Sequence, residues 1–279
     1  MNSPEILAEG IYFGESPRWH DDRLWYSDWG ANQVVALHAD GTPEVITSVP
    51  SFPMCIEFLP DGRLLVVDSA QHRVVRREPD ATLVPHADLS GLTDKPWNDI
   101  VVDRVGNAYV NNIGYDFPEG EPAPGIIAHV TPAGEVRQVA GDLAFPNGMV
   151  ITPEGTTLIV AESHASRLTA FDIAPDGGLT NRRVWAETPG DHPDGICLDT
   201  EGAVWYADVG NRHCVRLREG GETLGTVQWD RGAFACALSR GESNPRLFVI
   251  GQDFEGGEAD RPTGRVAAFP APAPGAGKP

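Results

Sequence analysis

The sequence predicts an all-β protein, a six-bladed β-propeller closed by its N-terminal strand. Three observations carry this. A β-rich run followed by an acid or amide recurs six times along the chain. The repeats end near Asp28, Asp68, Asn112, Glu162, Asp208 and Gln252, at spacings of 40, 44, 50, 46 and 44 residues. Gly (31) and Pro (24) make up about a fifth of the 279 residues, which breaks helix interiors and suits tight turns.

Each element follows in order. The six runs are Leu24–Asp28, Leu64–Asp68, Ala108–Asn112, Leu158–Glu162, Val204–Asp208 and Leu247–Gly251. A turn precedes most of them, at Asp61-Gly62, Val105-Gly106, Glu154-Gly155 and Glu201-Gly202. Further apolar strands follow, such as Gln33–Leu37 and Arg167–Phe171. Short strands with regular Gly-containing turns read as antiparallel meanders. A unit of about 45 residues holding four strands is a propeller blade. The sixth unit runs out after Arg265–Phe269, and Glu5–Ala8 supplies its outer strand, which leaves no open sheet edge. Residues 1–269 are therefore read as one propeller domain. Residues 270–279, almost all Pro, Ala and Gly, are read as a disordered tail.

Charge removes several classes of function. Lys plus Arg number 21 against 40 Asp plus Glu, a net −19. Nucleic acid and anionic membrane surfaces, which are bound through Lys and Arg, are excluded as partners. No apolar run approaches the roughly 18 residues of a membrane span, and Met1–Gly10 lacks the features of a secretory signal. Cys55, Cys197, Cys214 and Cys236 form no Cys-x-x-Cys pair, which reads as a reduced, cytoplasmic protein without a zinc framework. The expected state is a monomer or weak homodimer.

Chemistry is expected at the centre of the ring. The first strand of each blade lines the channel, so residues at equal register converge on the axis. The six strand entries are Gly14-Glu15-Ser16-Pro17, Met54-Cys55-Ile56, Trp97-Asn98-Asp99-Ile100, Pro146-Asn147-Gly148, Pro193-Asp194-Gly195 and Ala235-Cys236-Ala237. Four place an oxygen-bearing side chain there: Glu15, Asn98, Asn147 and Asp194. Two carboxylates and two amide oxygens form a hard shell whose formal −2 neutralises one divalent cation, with Ca²⁺ favoured and Zn²⁺, Mn²⁺, Mg²⁺ or Fe²⁺ as alternatives. The competing reading treats Asn and Asp before Gly as ordinary turn formers.

In these motifs, Gly14-Glu15-Ser16-Pro17-Arg18-Trp19, Asn98-Asp99, Pro146-Asn147-Gly148 and Pro193-Asp194-Gly195, the chain resembles the gluconolactonase, regucalcin (senescence marker protein) and diisopropyl-fluorophosphatase-like family. The resemblance implies a six-bladed propeller with one axial divalent ion, from about Glu5 to Phe269. It implies that Glu15, Asn147 and Asp194 are metal ligands and that Asn98 contacts the metal or the substrate. It implies too that Asp194 is the catalytic acid, acting as general base or nucleophile. Lactonases of that family often carry Arg two residues before the Asn of Asn98-Asp99; here that position is Pro96, with Lys95 beside it as a substitute. The family's acid on the following loop aligns with Asp116.

Loops after the second strands lie on the ligand face and set substrate choice. They offer Asn112 and Asp116 as substrate contacts and His164 as a proton shuttle. Others are Asp208–Asn211 and Gln252–Phe254. The segment from Phe117 to Gly125 reads as a lid or a long loop. Trp25, Trp185, Trp205 and Trp229 read as blade packing, with Trp97, beside Asn98, the one candidate platform. The expected activity is metal-dependent hydrolysis of a small neutral lactone or ester. The alternatives are organophosphate or ester hydrolysis on the same site and a non-catalytic Ca²⁺-binding propeller.

Overall fold

Six four-stranded antiparallel sheets follow one another along the chain of this computed structural model, which describes residues 4–38, 41–241, 243–253 and 261–277. Phe254 and residues 278–279 lie outside the described residues. The innermost strands are Gly14–His20, Ile56–Phe58, Trp97–Val102, Pro146–Ile151, Ile196–Leu198 and Gly232–Leu238. They contact one another in turn around the axis and form a six-bladed propeller. Among the described residues no helix is long and apolar enough to cross a membrane.

The second strands show why the chain folds this way. Leu64–Asp68, Ala108–Asn112 and Val204–Asp208 are buried at every position. Each is covered by neighbouring blades on both faces, so its apolar run is continuous rather than alternating. The outermost strands, such as Pro43–Ser48, are exposed or half-buried along their length. The core is a series of layers between blades; Phe58, Leu65, Trp97, Ile100 and Val110 belong to the largest of them. Trp97 is fully buried, so it packs the blades and is no platform.

The ring closes through the N-terminal strand. Glu5–Ile11 pairs antiparallel with Gly264–Pro270, from Glu5 opposite Ala268 to Ile11 opposite Gly264, with register shifts between Ile6 and Ala8 and between Glu9 and Ile11. Two exposed ion pairs, Arg246–Glu5 (2.6 Å) and Arg265–Glu9 (2.7 Å), line the seam.

The segment after Pro270 is docked, contrary to the loose tail that its composition predicts. Thr200 N–H donates to Pro274 O (2.9 Å), Gly275 N–H to Ser239 O (2.8 Å) and Ala276 N–H to Leu198 O (2.9 Å). Ala273 is buried. These bonds tie blade 5 to blade 6 on the face opposite the strand entries. Pro restricts the backbone of this segment before it docks, which lowers the entropy lost on docking. Truncation after Pro270 is expected to cost about 2 kcal/mol, the net worth of a few hydrogen bonds. The urea midpoint of the truncated chain checks this.

The recurring acid or amide has one job in four blades. Asp28 accepts from Tyr12 N–H (3.1 Å) and Phe13 N–H (2.9 Å), Glu162 from Ala144 N–H (2.8 Å) and Asp208 from His192 N–H (2.7 Å). Asn112 Nδ2 donates to Lys95 O (2.8 Å) and Pro96 O (2.9 Å). Each holds the loop that enters its own blade, and so sets where that blade's channel residue sits.

Candidate metal centre

Backbone irregularity aims the channel side chains. The innermost strands break register with their neighbours between Glu15 and Arg18, between Trp97 and Ile100, and between Pro146 and Met149. Bulges of this kind redirect a side chain out of the regular alternation. In blade 5 the strand starts only at Ile196, just after Asp194.

Gly148 and Gly195 follow two of the ligand candidates, and neither has positive φ. A left-handed backbone is therefore not what requires glycine at these positions. A Cβ on Gly148 would sit 2.5 Å from Ile196 N, and one on Gly195 would overlap the Ala235 side chain. The pairs Asn147-Gly148 and Asp194-Gly195 thus let adjacent inner strands approach closely enough for their side chains to meet on the axis. Gly195→Ala is expected to cost about 1–3 kcal/mol through overpacking, measured by denaturant unfolding.

Glu15, Asn98, Asn147 and Asp194 are brought together. Asn98 Nδ2 donates to Asn147 Oδ1 (3.3 Å), and Asn147 Nδ2 donates to Ser163 Oγ (3.4 Å). Ser163 Oγ donates in turn to Pro193 O (2.7 Å), next to Asp194. Glu15 accepts from Ser16 N–H (2.9 Å) and is 8% exposed. Asp194 Oδ1 is buried and has no hydrogen-bond partner. An unpartnered buried carboxylate oxygen is costly unless a cation or donor meets it. Glu15 and Asn147 also line a small cavity of about 10 Å³ that continues inward to Arg18, Asp99 and Cys236 and does not include Asn98 or Asp194.

Electrostatics agree with the geometry. Burial, aided by the Asp99 charge and only partly offset by the Ser16 N–H, pushes the Glu15 carboxyl up from 4.5 to about 8. Burial and the Glu15 charge push Asp194 well above the usual carboxylate range. Two acids that hold their protons this strongly are stabilised as carboxylates by a divalent cation. The chain's own donors are all oxygen, so the residues fit a hard ion.

A pH dependence follows. A carboxyl whose folded pKa lies above its unfolded value keeps its proton in the folded state after the unfolded chain has lost it. The Glu15 contribution to stability of the metal-free protein is therefore present below about 4.5 and lost as pH rises to about 8. Unfolding midpoints in chelator across that range should fall with pH, and Glu15→Gln should flatten the trend.

Residues below this quartet were not assigned from sequence. Arg18 pairs with Glu57 (2.9 Å) and Asp99 (2.8 Å) and also donates to Ile100 O (3.0 Å). Asp99 accepts from Met149 N–H (2.8 Å) as well. This network joins four inner strands beneath the ligand level. Glu57 inside the apolar run Ile56–Phe58 was its visible signal.

A second acidic group, Asp191, Asp208 and His213, has its ligand atoms close enough to share an ion. Its oxygens already have partners: Asp191 Oδ2 meets Tyr206 OH (2.5 Å) and His213 Nε2 (3.0 Å), and Asn211 donates to both acids. It reads as a loop anchor, in contrast to Asp194.

The remaining candidates separate. Asn112 is 2% exposed with its amide committed to the Lys95 and Pro96 carbonyls, so it positions the loop and does not face a substrate. Lys95 Nζ pairs with exposed Asp116 (2.9 Å). His164 is exposed beside Phe145, and partial burial with His192 nearby lowers its pKa. Cys55 and Cys236 are buried in the channel wall, and all four cysteines are free. A depression of about 500 Å³ bounded by His20, Pro60 and Arg104 lies on the opposite face.

Residues 13–251 match the family model described as SMP-30/Gluconolactonase/LRE-like region. Diisopropyl-fluorophosphatase of Loligo vulgaris is 28% identical over 158 residues, about half of each chain (50% of this one, 49% of that one). L-arabinolactonase of Azospirillum brasilense is 24% identical over 241 residues, 85% of this chain and 79% of that one. Among solved structures, the calcium-binding protein regucalcin of Agrobacterium tumefaciens strain C58 superposes with a TM-score of 0.80 at 20% identity, covering 99% of this chain and 95% of that one.

Proposed function

Because the chain belongs to the SMP-30/Gluconolactonase/LRE-like family, we propose that it is a divalent-metal-dependent hydrolase of a small neutral lactone. The observation that carries this reading is the buried Asp194 Oδ1, unpartnered where Glu15, Asn98 and Asn147 converge. Glu15, Asn147 and Asp194 would hold the ion, with Asn98 beside it; Ca²⁺ suits four oxygen donors that leave room for further oxygens. The regucalcin named above as calcium-binding supports that choice of ion.

When bound, such a cation supplies polarisation of a carbonyl oxygen and charge stabilisation as water attacks. The rest falls to the chain. Asp194 takes a proton from the attacking water and returns it to the departing alkoxide. Asn98, whose amide faces Asn147, orients the carbonyl. The Arg18–Glu57–Asp99 network fixes the floor so that these groups stay in place.

The test is a screen of aldonolactones and simple aromatic lactones with Ca²⁺, Mn²⁺ and Zn²⁺, each against chelator. Hydrolysis that stops with chelator and returns with one of the ions is expected. Hydrolysis indifferent to chelator contradicts the reading. A second reading, hydrolysis of a phosphoryl ester at the same centre, is supported by the relative named diisopropyl-fluorophosphatase. An uncharged organophosphate in the same screen separates the two.

A further inference from the structure

The face that carries the candidate centre has an aromatic wall. Phe145 stands two residues before Asn147, and His164 follows Ser163, the acceptor of the Asn147 amide. Phe117 meets Phe145 edge-on with ring centroids 5.1 Å apart, and Phe145 meets His164 at 4.7 Å. Tyr115, buried behind them, packs against Phe117, Phe145 and His164. Phe117 is 47% exposed, a large apolar surface that folding alone does not explain. Phe52 (53%) and Tyr12 (38%) stand exposed on the entry loops of blades 2 and 1, on the same face.

Several of the polar groups nearby are already engaged. The Asn112 amide serves the Lys95 and Pro96 carbonyls, Lys95 Nζ meets Asp116, and the Ser163 hydroxyl donates to Pro193 O. A polyhydroxylated ring set against Phe117 and Phe145 would give up bonds to water without replacing them, at a cost for every hydroxyl. An alkyl or aryl substituent would bury apolar surface at the same place. Hydrogen-bonding sites reject wrong substrates strongly, and this wall offers one such group, the exposed His164 ring, against the two apolar rings of Phe117 and Phe145.

Resting on the lactonase reading above, we infer that the Phe117–Phe145–His164 wall is a binding site for an alkyl or aryl substituent, which makes the substrate an apolar-substituted lactone rather than a sugar lactone.

The experiment compares kcat/KM for δ-valerolactone, δ-decalactone and glucono-δ-lactone with Ca²⁺ present. Valerolactone and decalactone share one ring and differ by a pentyl chain. The decalactone value should exceed that of valerolactone by at least about tenfold, and glucono-δ-lactone should be the poorest of the three. Phe117→Ala should reduce the decalactone-to-valerolactone ratio at least about fivefold, Phe117→Leu should restore most of it, and calorimetry should still find one Ca²⁺ per chain. The lactam analogue of δ-decalactone, which resists hydrolysis, provides a readout independent of turnover. Its dissociation constant for the Ca²⁺-loaded protein should rise at least about fivefold in Phe117→Ala. Preference for glucono-δ-lactone, or lactam binding indifferent to Phe117, overturns the inference while leaving a lactonase. If no lactone is turned over but the lactam binds through Phe117, the lactonase reading falls and the wall stands.

Discussion

Asp194→Ala is expected to lower chelator-sensitive hydrolysis by about 10²–10⁴-fold, the range for loss of a positioned general base, with further loss from weakened ion binding. The same substitution should strengthen the metal-free fold. In the parent, Asp194 Oδ1 is buried without a partner, and the Glu15 charge pushes the same carboxyl up. Removing that carboxyl relieves a desolvated acid, so the variant should unfold at higher urea than the parent when both are held in chelator near pH 8. With Ca²⁺ the order should reverse, because only the parent gains from ion binding. Asp194→Asn keeps the shape and one oxygen, and it separates lost charge from lost volume. Full activity in Asp194→Ala would contradict the mechanism.

The second large effect is on stability. Arg18→Met should cost about 3–5 kcal/mol, because it takes a close cation from Glu57 and leaves Asp99 buried without its ion-pair partner. Their side chains are only 8% and 9% exposed, and that of Arg18 is 17% exposed, so solvent does little to replace the lost partner. The combined Arg18→Met, Glu57→Gln, Asp99→Asn variant should recover much of that loss, since the two carboxylates that Arg18 met are then neutral amides. Urea unfolding in chelator measures both. A single-variant loss below about 1 kcal/mol would show that the network is unimportant to the fold.

The blades were legible because each second strand is buried on both faces, which forces a continuous apolar run, and because an acid or amide closes it. That residue carries a structural task in the present fold, shown by Asp28, Asn112, Glu162 and Asp208 on their entry loops. The quartet was legible through register: Glu15, Asn98, Asn147 and Asp194 occupy the same step of four entries and meet at the axis. The role of their glycines was not. Only the close approach of neighbouring inner strands, at Gly148 and Gly195, distinguishes a spacer from a turn former.

Pairings between residues distant in sequence were the least legible. Lys95 and Asp116 each suit a substrate contact when read alone, but they neutralise one another at 2.9 Å. Asn112 lies on the ligand face, yet its amide is spent on the loop beside it. Arg18 finds its acids 39 and 81 residues away, on two other blades, a separation no local pattern encodes. The C-terminal segment misled for a different reason. Its composition is that of a linker, while its backbone hydrogen bonds to Ser239, Leu198 and Thr200 hold it in place.

The most direct test of the whole account is a crystal structure of the protein soaked in millimolar Ca²⁺. The expected result is one ion on the propeller axis, within about 2.3–2.6 Å of oxygens from Glu15, Asn147 and Asp194. An empty axis, or an ion held instead by Asp191, Asp208 and His213, would contradict it.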